Sequence, residues 1–248
     1  MWIRCLCLFL ISSHAGATNH YKIGTQNFDY SPQYNFISRK DKGYAWAVLE
    51  AFARQENLHF EYVPLPLRRL QDELRRGSID FIYPGNARWL EGENPHPSDK
   101  TFSRALTMAT YGTMVQRRRN GVGAENFRSV AFPKGFSPTK WRALLKKKQL
   151  QLVETSTPEL ALKMVLRDRA DGADIEYNVT QFILNKLGHP GKLVMDDTLP
   201  ITVVGFRVST IQHREMIERL NAFLIDNQSL IDSLKKKYGI ESDNNQHW

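Results

Sequence analysis

Apolar residues in the segment Leu67–Arg76 recur at Leu67, Leu70 and Leu74, and most of the positions between them are charged. That i, i+3, i+7 spacing predicts an amphipathic surface helix. Gly77 is placed to end it, because a residue without a Cβ enters the left-handed region at little cost. Ile79–Tyr83 is a short, apolar, β-prone run, and Pro84, Gly85 and Asn86 are expected to stop it. Helix, glycine turn, strand and polar loop make half of a βαβ unit, and open α/β sheets bind ligands beyond the carboxyl ends of such strands.

The alternation extends along the chain. Tyr21–Gly24 reads as a brief strand and Thr25–Gln33 as a loop containing Tyr30, Ser31 and Pro32. Ala45, Val48, Leu49 and Phe52 mark a helix over 43–55, and His59–Val63 alternates as a strand. Residues 88–100 are polar and carry Pro95 and Pro97, so a long surface loop is expected. Leu106–Val115 is a longer β-prone run, followed by the basic run 117–119 with Gly121 and Gly123, which suggests a boundary. A second set then begins. Strands are predicted at Ser129–Phe132, Leu150–Val153, Asp171–Glu176 and Thr202–Val208, with helices over 139–147, 157–166, 179–187, 211–225 and 229–237. Thr157 and Pro158 fit the N-cap and N1 positions of the second of these helices. Two βαβ sets with a late return strand predict an α/β chain of two lobes joined by two hinge strands.

The first seventeen residues stand apart. Arg4, the apolar run Cys5–Ile11 and the closing Ala15-Gly16-Ala17 give the three regions of a secretory signal peptide in order. Cleavage after Ala17 is expected, and no later apolar run is long enough to span a bilayer. Both cysteines, Cys5 and Cys7, lie in that segment, so the mature chain has no disulfide, no thiol nucleophile and no cysteine-bound metal. An exported α/β chain that is cysteine-free once this leader is removed suits a bacterial periplasm. The formal net charge of +8 becomes +7 once Arg4 is removed. Its excess sits in short runs at 68–69, 75–76, 117–119, 146–148 and 235–237, which suit solvated helix ends rather than a nucleic-acid surface.

Catalytic motifs are scarce. There is no phosphate-binding G-x-x-x-x-G-K, and Gly121-Val122-Gly123 lacks the third glycine of a dinucleotide fingerprint. The seven histidines show no ligand spacing, so neither a catalytic metal nor another cofactor is expected. Gly135-Phe136-Ser137-Pro138-Thr139 imitates a nucleophile elbow without its final glycine. Ser137 reads instead as a helix N-cap or an anion-binding hydroxyl, with Pro138 at N1.

The segments GTQNFDYSP (24–32), KGYAWAVLEAFARQENLHFEYV (42–63), LRRGSIDFIY (74–83), TFS (101–103), VAFPKGFSP (130–138) and RADGADIEYNVTQFIL (169–184), with LIDSLKKKYGI (230–240) near the end, resemble family 3 of the bacterial periplasmic solute-binding proteins. The resemblance covers essentially the whole mature chain. It implies a type II periplasmic-binding-protein fold: a signal peptide at 1–17, one lobe from 18–113 and 206–248, another from 114–205, and a cleft that closes by hinge motion. The implied function is capture of an amino acid or a similar small polar or anionic solute in the cleft between the lobes, for an ABC transporter or sensor. The expected partners are that solute and a membrane permease or sensor, and a monomer is expected.

The resemblance also assigns roles to particular residues. Tyr30 would cover the ligand, Gly85 and Asn86 would offer donors, and Arg88 would pair the ligand carboxylate in a bidentate contact. Tyr83 would line the cleft or finish the core. Gly135, Phe136 and Ser137 would cap the carboxylate at a helix N-terminus, and Glu176 would take the amino group. Asp174 is the neighbouring alternative, expected on the other face of the strand. Two other readings accompany this one: a dehydratase on the same fold using Glu176 or Asp174 as general acid or base, and a signalling or accessory module with a degenerate cleft.

Overall fold

The structure, a computed structural model, describes residues 19–90, 99–136, 139–147 and 149–241. The predicted signal peptide, Ser137 and most of the predicted loop 88–100 lie outside them. Among the described residues ten strands form one curled sheet in the order β2-β1-β3-β10-β5-β8-β6-β7, with β4 and β9 paired off this path. Its first half comprises β1 (His20–Gln26), β2 (His59–Leu65) and β3 (Phe81–Gly85), all parallel. The second half has β6 (Ser129–Pro133), β7 (Gln151–Thr155) and β8 (Gly172–Glu176), again parallel.

Two long strands join the halves. β5 (Thr107–Gln116) and β10 (Thr202–Thr210) pair antiparallel, Thr202 against Tyr111 through Phe206 against Thr107. The far end of β10 pairs with β3 and with the short β4 (Thr101–Phe102), while the far end of β5 pairs with β8 and with β9 (Leu193–Met195). The chain therefore crosses between the halves twice.

Helices α1 (Tyr44–Glu56), α2 (Leu67–Arg75), α6 (Arg214–Asp226) and α7 (Gln228–Tyr238) cover the first half. In the second half, α3 (Arg142–Lys146) follows a 3₁₀ turn, and α4 (Pro158–Leu166) and α5 (Tyr177–Lys186) pack beside β8. One apolar core runs through both halves, from Val48, Phe52 and Ile217 to Leu162, Ile175 and Leu184. Among the described residues no helix is long and apolar enough to cross a membrane.

Several local expectations hold. Leu70 and Leu74 are buried on α2, and Gly77 has φ of +70° just beyond its end. Thr157 caps α4, its Oγ1 accepting the Leu160 N–H at 3.2 Å, with Pro158 in the first turn. One expectation fails: β3 runs through Pro84 to Gly85 instead of stopping at Tyr83. Its register against β10 slips between Ile82, opposite Ser209, and Gly85, opposite Arg207. Pro84 sits inside that bulge, where its missing N–H removes no ladder bond.

Candidate functional site

The loop after β1 is the first wall of the site, and α1 holds it in place. An α-helix leaves its first N–H groups without intrahelical partners, and here loop carbonyls accept them: Tyr44 N–H donates to Pro32 O at 3.0 Å and Ala45 N–H to Gln33 O at 3.0 Å. Gly43, just before the helix, has φ of +88°, and a Cβ there would lie 2.9 Å from both Pro32 O and Tyr34 Cα. Only glycine lets the helix start this close to the loop. Tyr30 and Tyr34 bridge each other by backbone bonds of 2.9 and 3.2 Å, and their rings stack at 5.2 Å. Both are fully buried, and the Tyr34 hydroxyl donates to Gln26 Oε1.

The second wall comes from the ends of β6 and β8. Phe136 follows β6 and sets its ring 5.8 Å from Phe28 and 5.8 Å from Tyr30. Phe206 of β10 lies among Tyr30, Tyr34, Tyr83, Trp89 and Tyr111, at ring separations of 6.0 to 6.5 Å. Aromatic rings from both halves and from the two connecting strands thus meet in one cluster, at the edge-to-face and offset distances at which ring quadrupoles attract. The Tyr30 hydroxyl donates to the Tyr111 hydroxyl at 2.9 Å, tying the first loop to β5.

Glu176 ends β8 and caps α5, accepting Val179 N–H at 2.7 Å and Asn178 Nδ2 at 3.0 Å. Gln33 Nε2, from the first wall, donates to Glu176 Oε1 at 3.3 Å across the two halves. The carboxyl group is fully buried, and this desolvation lifts its pKa from 4.5 to about 7 against the pull of the hydrogen bonds. Burial likewise raises Tyr30, Tyr34 and Tyr111, so all three hydroxyls stay protonated at any physiological pH. The Tyr83 hydroxyl and Gln33 Oε1 are buried without a hydrogen-bond partner. They are the spare polar capacity of this cluster.

The sequence-derived site residues divide into two groups. Tyr30, Tyr83, Phe136 and Glu176 converge on the cluster. Gly85 packs under Ser209, and a Cβ there would stand 2.8 Å from its Oγ. Asn86 uses its amide within the fold, donating to Gly205 O at 2.9 Å and accepting the Arg88 N–H at 3.0 Å. Arg88 is exposed in the 3₁₀ turn Ala87–Leu90, while the next residue, Trp89, turns its ring to Phe206. Gly135 has φ of +92° and lies against Leu67, the first residue of α2, across the halves.

Asp174 requires a correction. It lies two residues from Glu176 in β8, and residues two apart share a face of a strand. The expectation that it points the other way is wrong. Asp174 instead accepts from Lys140 Nζ at 2.7 Å in a nearly buried ion pair. Burial raises its pKa and Lys140 opposes the rise.

Sequence reading missed Gln33, Tyr34, Tyr111 and Phe206. Tyr111 and Phe206 belong to runs that read only as strands, so nothing local marked them as members of this cluster. Tyr34 lies just beyond the predicted loop, and its signal was the density of aromatics over Phe28–Phe36. Among the described residues no three His, Cys, Asp or Glu side chains are gathered closely enough to hold a metal ion.

No family model and no curated protein gives a significant match to the sequence. Solved structures do match. The substrate binding protein of an amino acid ABC transporter aligns with a TM-score of 0.67 at 15% identity, covering 90% of this chain and 100% of its own. A histidine kinase sensor domain with similarity to periplasmic binding proteins gives 0.70 at 18%, covering 88% and 95%. The chain has the type II periplasmic-binding-protein fold. A third match is the ancestral amino acid-binding protein AncCDT-1, a precursor of cyclohexadienyl dehydratase, at 0.66 and 18% over 89% and 95%. In such a fold the two halves of the sheet correspond to the lobes, and β5 and β10 to the strands that join them.

Proposed function

We propose that the protein is a periplasmic binding module that captures an amino acid or similar small acid between its lobes and passes the bound state to a membrane permease or sensor. The lobes are taken to run over 18–113 with 206–248, and over 114–205. The observation that carries the reading is the convergence of both lobes and both hinge strands on one cluster, with Gln33 from one side bonded to Glu176 from the other. A ligand entering there displaces the Gln33–Glu176 and Tyr30–Tyr111 contacts and inherits their partners. Closure then follows from its higher affinity for the closed state. Arg88, exposed in the turn Ala87–Leu90, is the cation assigned to the ligand carboxylate in this reading, and Tyr30 and Phe136 are the rings that would cover it.

A second reading is favoured by the satisfaction of Glu176, whose carboxylate already takes three protein donors. In it the lobes close on their own aromatic residues, and the protein signals through its outer surface without a solute. Thermal melting against an amino-acid and organic-acid panel separates the two, since a ligand that binds only the folded protein raises its melting temperature. The capture reading expects one class of small acid to raise it, and expects the rise to vanish in Tyr30→Ala. A flat panel would overturn capture and leave the solute-free module.

A further inference from the structure

Asp174 lies two residues before Glu176 on β8 and shares its face of the strand. Lys140, in the 3₁₀ turn Thr139–Trp141, donates from Nζ to Asp174 Oδ1 at 2.7 Å, and the two side chains are only 8% and 13% exposed. On the neighbouring strand β5, Tyr111 stands opposite Glu176 and Thr113 opposite Asp174. Thr113 is fully buried, and its Oγ1 has no hydrogen-bond partner. The Asp174 charge also acts on the Tyr111 hydroxyl, so the ion pair lies next to the cluster that meets at Glu176.

An ion pair withdrawn from water adds little stability of its own, because desolvation offsets the attraction. This one also keeps bonding capacity in reserve. Among the described residues Asp174 is the one partner of Lys140 Nζ, and an ammonium group donates to more than one acceptor. A carboxylate accepts several bonds, and the Thr113 hydroxyl both donates and accepts. The trio therefore offers a donor beside an acceptor with no net charge. A primary carboxamide matches it, since its oxygen accepts and its nitrogen donates from adjacent positions. A carboxylate in its place would meet Lys140 but stand against Asp174, and an ammonium would meet Asp174 but stand against Lys140. An alkyl chain would cover these groups without bonding to them. Distance fits as well: residues two apart on a strand are about 7 Å apart. A ligand with its amino group at Glu176 brings the end of a glutamine-length side chain level with Asp174.

We propose that Lys140, Asp174 and Thr113 form the side-chain subsite of the cleft, and that it selects an amino acid ending in a carboxamide over its acidic, basic and alkyl counterparts. The subsite rests on the capture reading above, in which Arg88 and Glu176 hold the ligand's own carboxylate and amino group. Lys140 and Asp174 stay paired while the amide bridges them. Its oxygen accepts from Lys140 Nζ, and its nitrogen donates to Asp174 and to Thr113 Oγ1.

The test is calorimetric titration of the full chain with L-glutamine, L-asparagine, L-glutamate, L-lysine and L-norleucine. One of the two carboxamides is expected to bind, with the other side-chain classes at about a tenth of its affinity or less. In Thr113→Val and in the double variant Lys140→Met with Asp174→Asn, the preference over glutamate and lysine is expected to shrink toward parity. Melting of each variant without ligand checks that it folds, and the wild-type comparison decides the matter where a variant does not. Binding of none of these amino acids, nor of any acid in the wider panel, overturns the capture reading and the subsite with it. Binding in which glutamate, lysine or norleucine equals the carboxamides, or in which only an organic acid binds, overturns the subsite and leaves capture standing. A carboxamide preference that survives intact in the folded double variant shows that the ion pair only supports the fold, and overturns the subsite too.

Discussion

Glu176 accepts bonds from Val179, Asn178 and Gln33, and still holds its proton to about pH 7. The bonds favour the carboxylate, but burial removes more solvation than they return. Because the folded state raises this pKa, the folded protein carries more protons than the unfolded chain between about pH 4.5 and 7. The contribution to stability is thus fully present below the unfolded pKa and is lost as pH rises through about 7. Over that range the loss amounts to roughly 3 kcal/mol at most, since each tenfold change in proton affinity is worth about 1.4 kcal/mol. Glu176→Gln keeps an acceptor for the helix cap and lets Gln33, whose Oε1 has no partner, turn to meet the new amide. Denaturant midpoints measured from pH 5 to pH 8 are expected to fall for the wild-type protein and to stay level for the variant. An equal slope in both would show that Glu176 is not the titrating group.

The loop and helix around Gly43 act as one element. Its positive φ, with Pro32 O and Tyr34 Cα at 2.9 Å from any added Cβ, couples the start of α1 to the ring pair Tyr30–Tyr34. Gly43→Ala is expected to cost about 2 kcal/mol by chemical denaturation, from the strained conformation and the clash together. It should also weaken any cleft ligand, because the loop that carries Tyr30 must shift. An unchanged denaturation midpoint would show that the helix can start without this close approach. At this scale the sequence was informative where a rule is local: the leucine spacing of α2, Gly77 and the Thr157-Pro158 start all read directly from neighbouring residues. It failed where the deciding partner lies far along the chain. Gly85 stays in β3 because Arg207 is opposite it, more than a hundred residues away, and β9 exists because β5 offers Met114, Val115 and Gln116 as partners.

For the whole molecule, ring contacts and one hydrogen bond join the two halves of the sheet. Phe136 is the ring that the second lobe presents to Phe28, Tyr30 and Tyr111. Phe136→Ala removes a large apolar contact between the halves from the edge of the core that they share. The variant is expected to show a larger radius of gyration by X-ray scattering, with a hinge opened about β5 and β10. An unchanged radius would mean that Gln33–Glu176 and Gly135–Leu67 suffice to hold the lobes together. The sequence carried the α/β alternation and both crossings. It did not carry the cluster, because Tyr30, Tyr111, Phe136 and Glu176 meet only after the sheet curls and its halves are juxtaposed.

The pairing of β10 with β3 and β5 also orders events in time. A chain released amino end first shows β3 long before Thr202–Thr210 has emerged, so one border of the initial parallel set stays bare meanwhile. That border, Phe81-Ile82-Tyr83, is apolar and would template association with other chains. The segment between the two crossings can complete β6, β7 and β8 from its own residues first. The late arrival of β10 then seals the exposed border, and newly made chains depend on that one strand to become safe from one another.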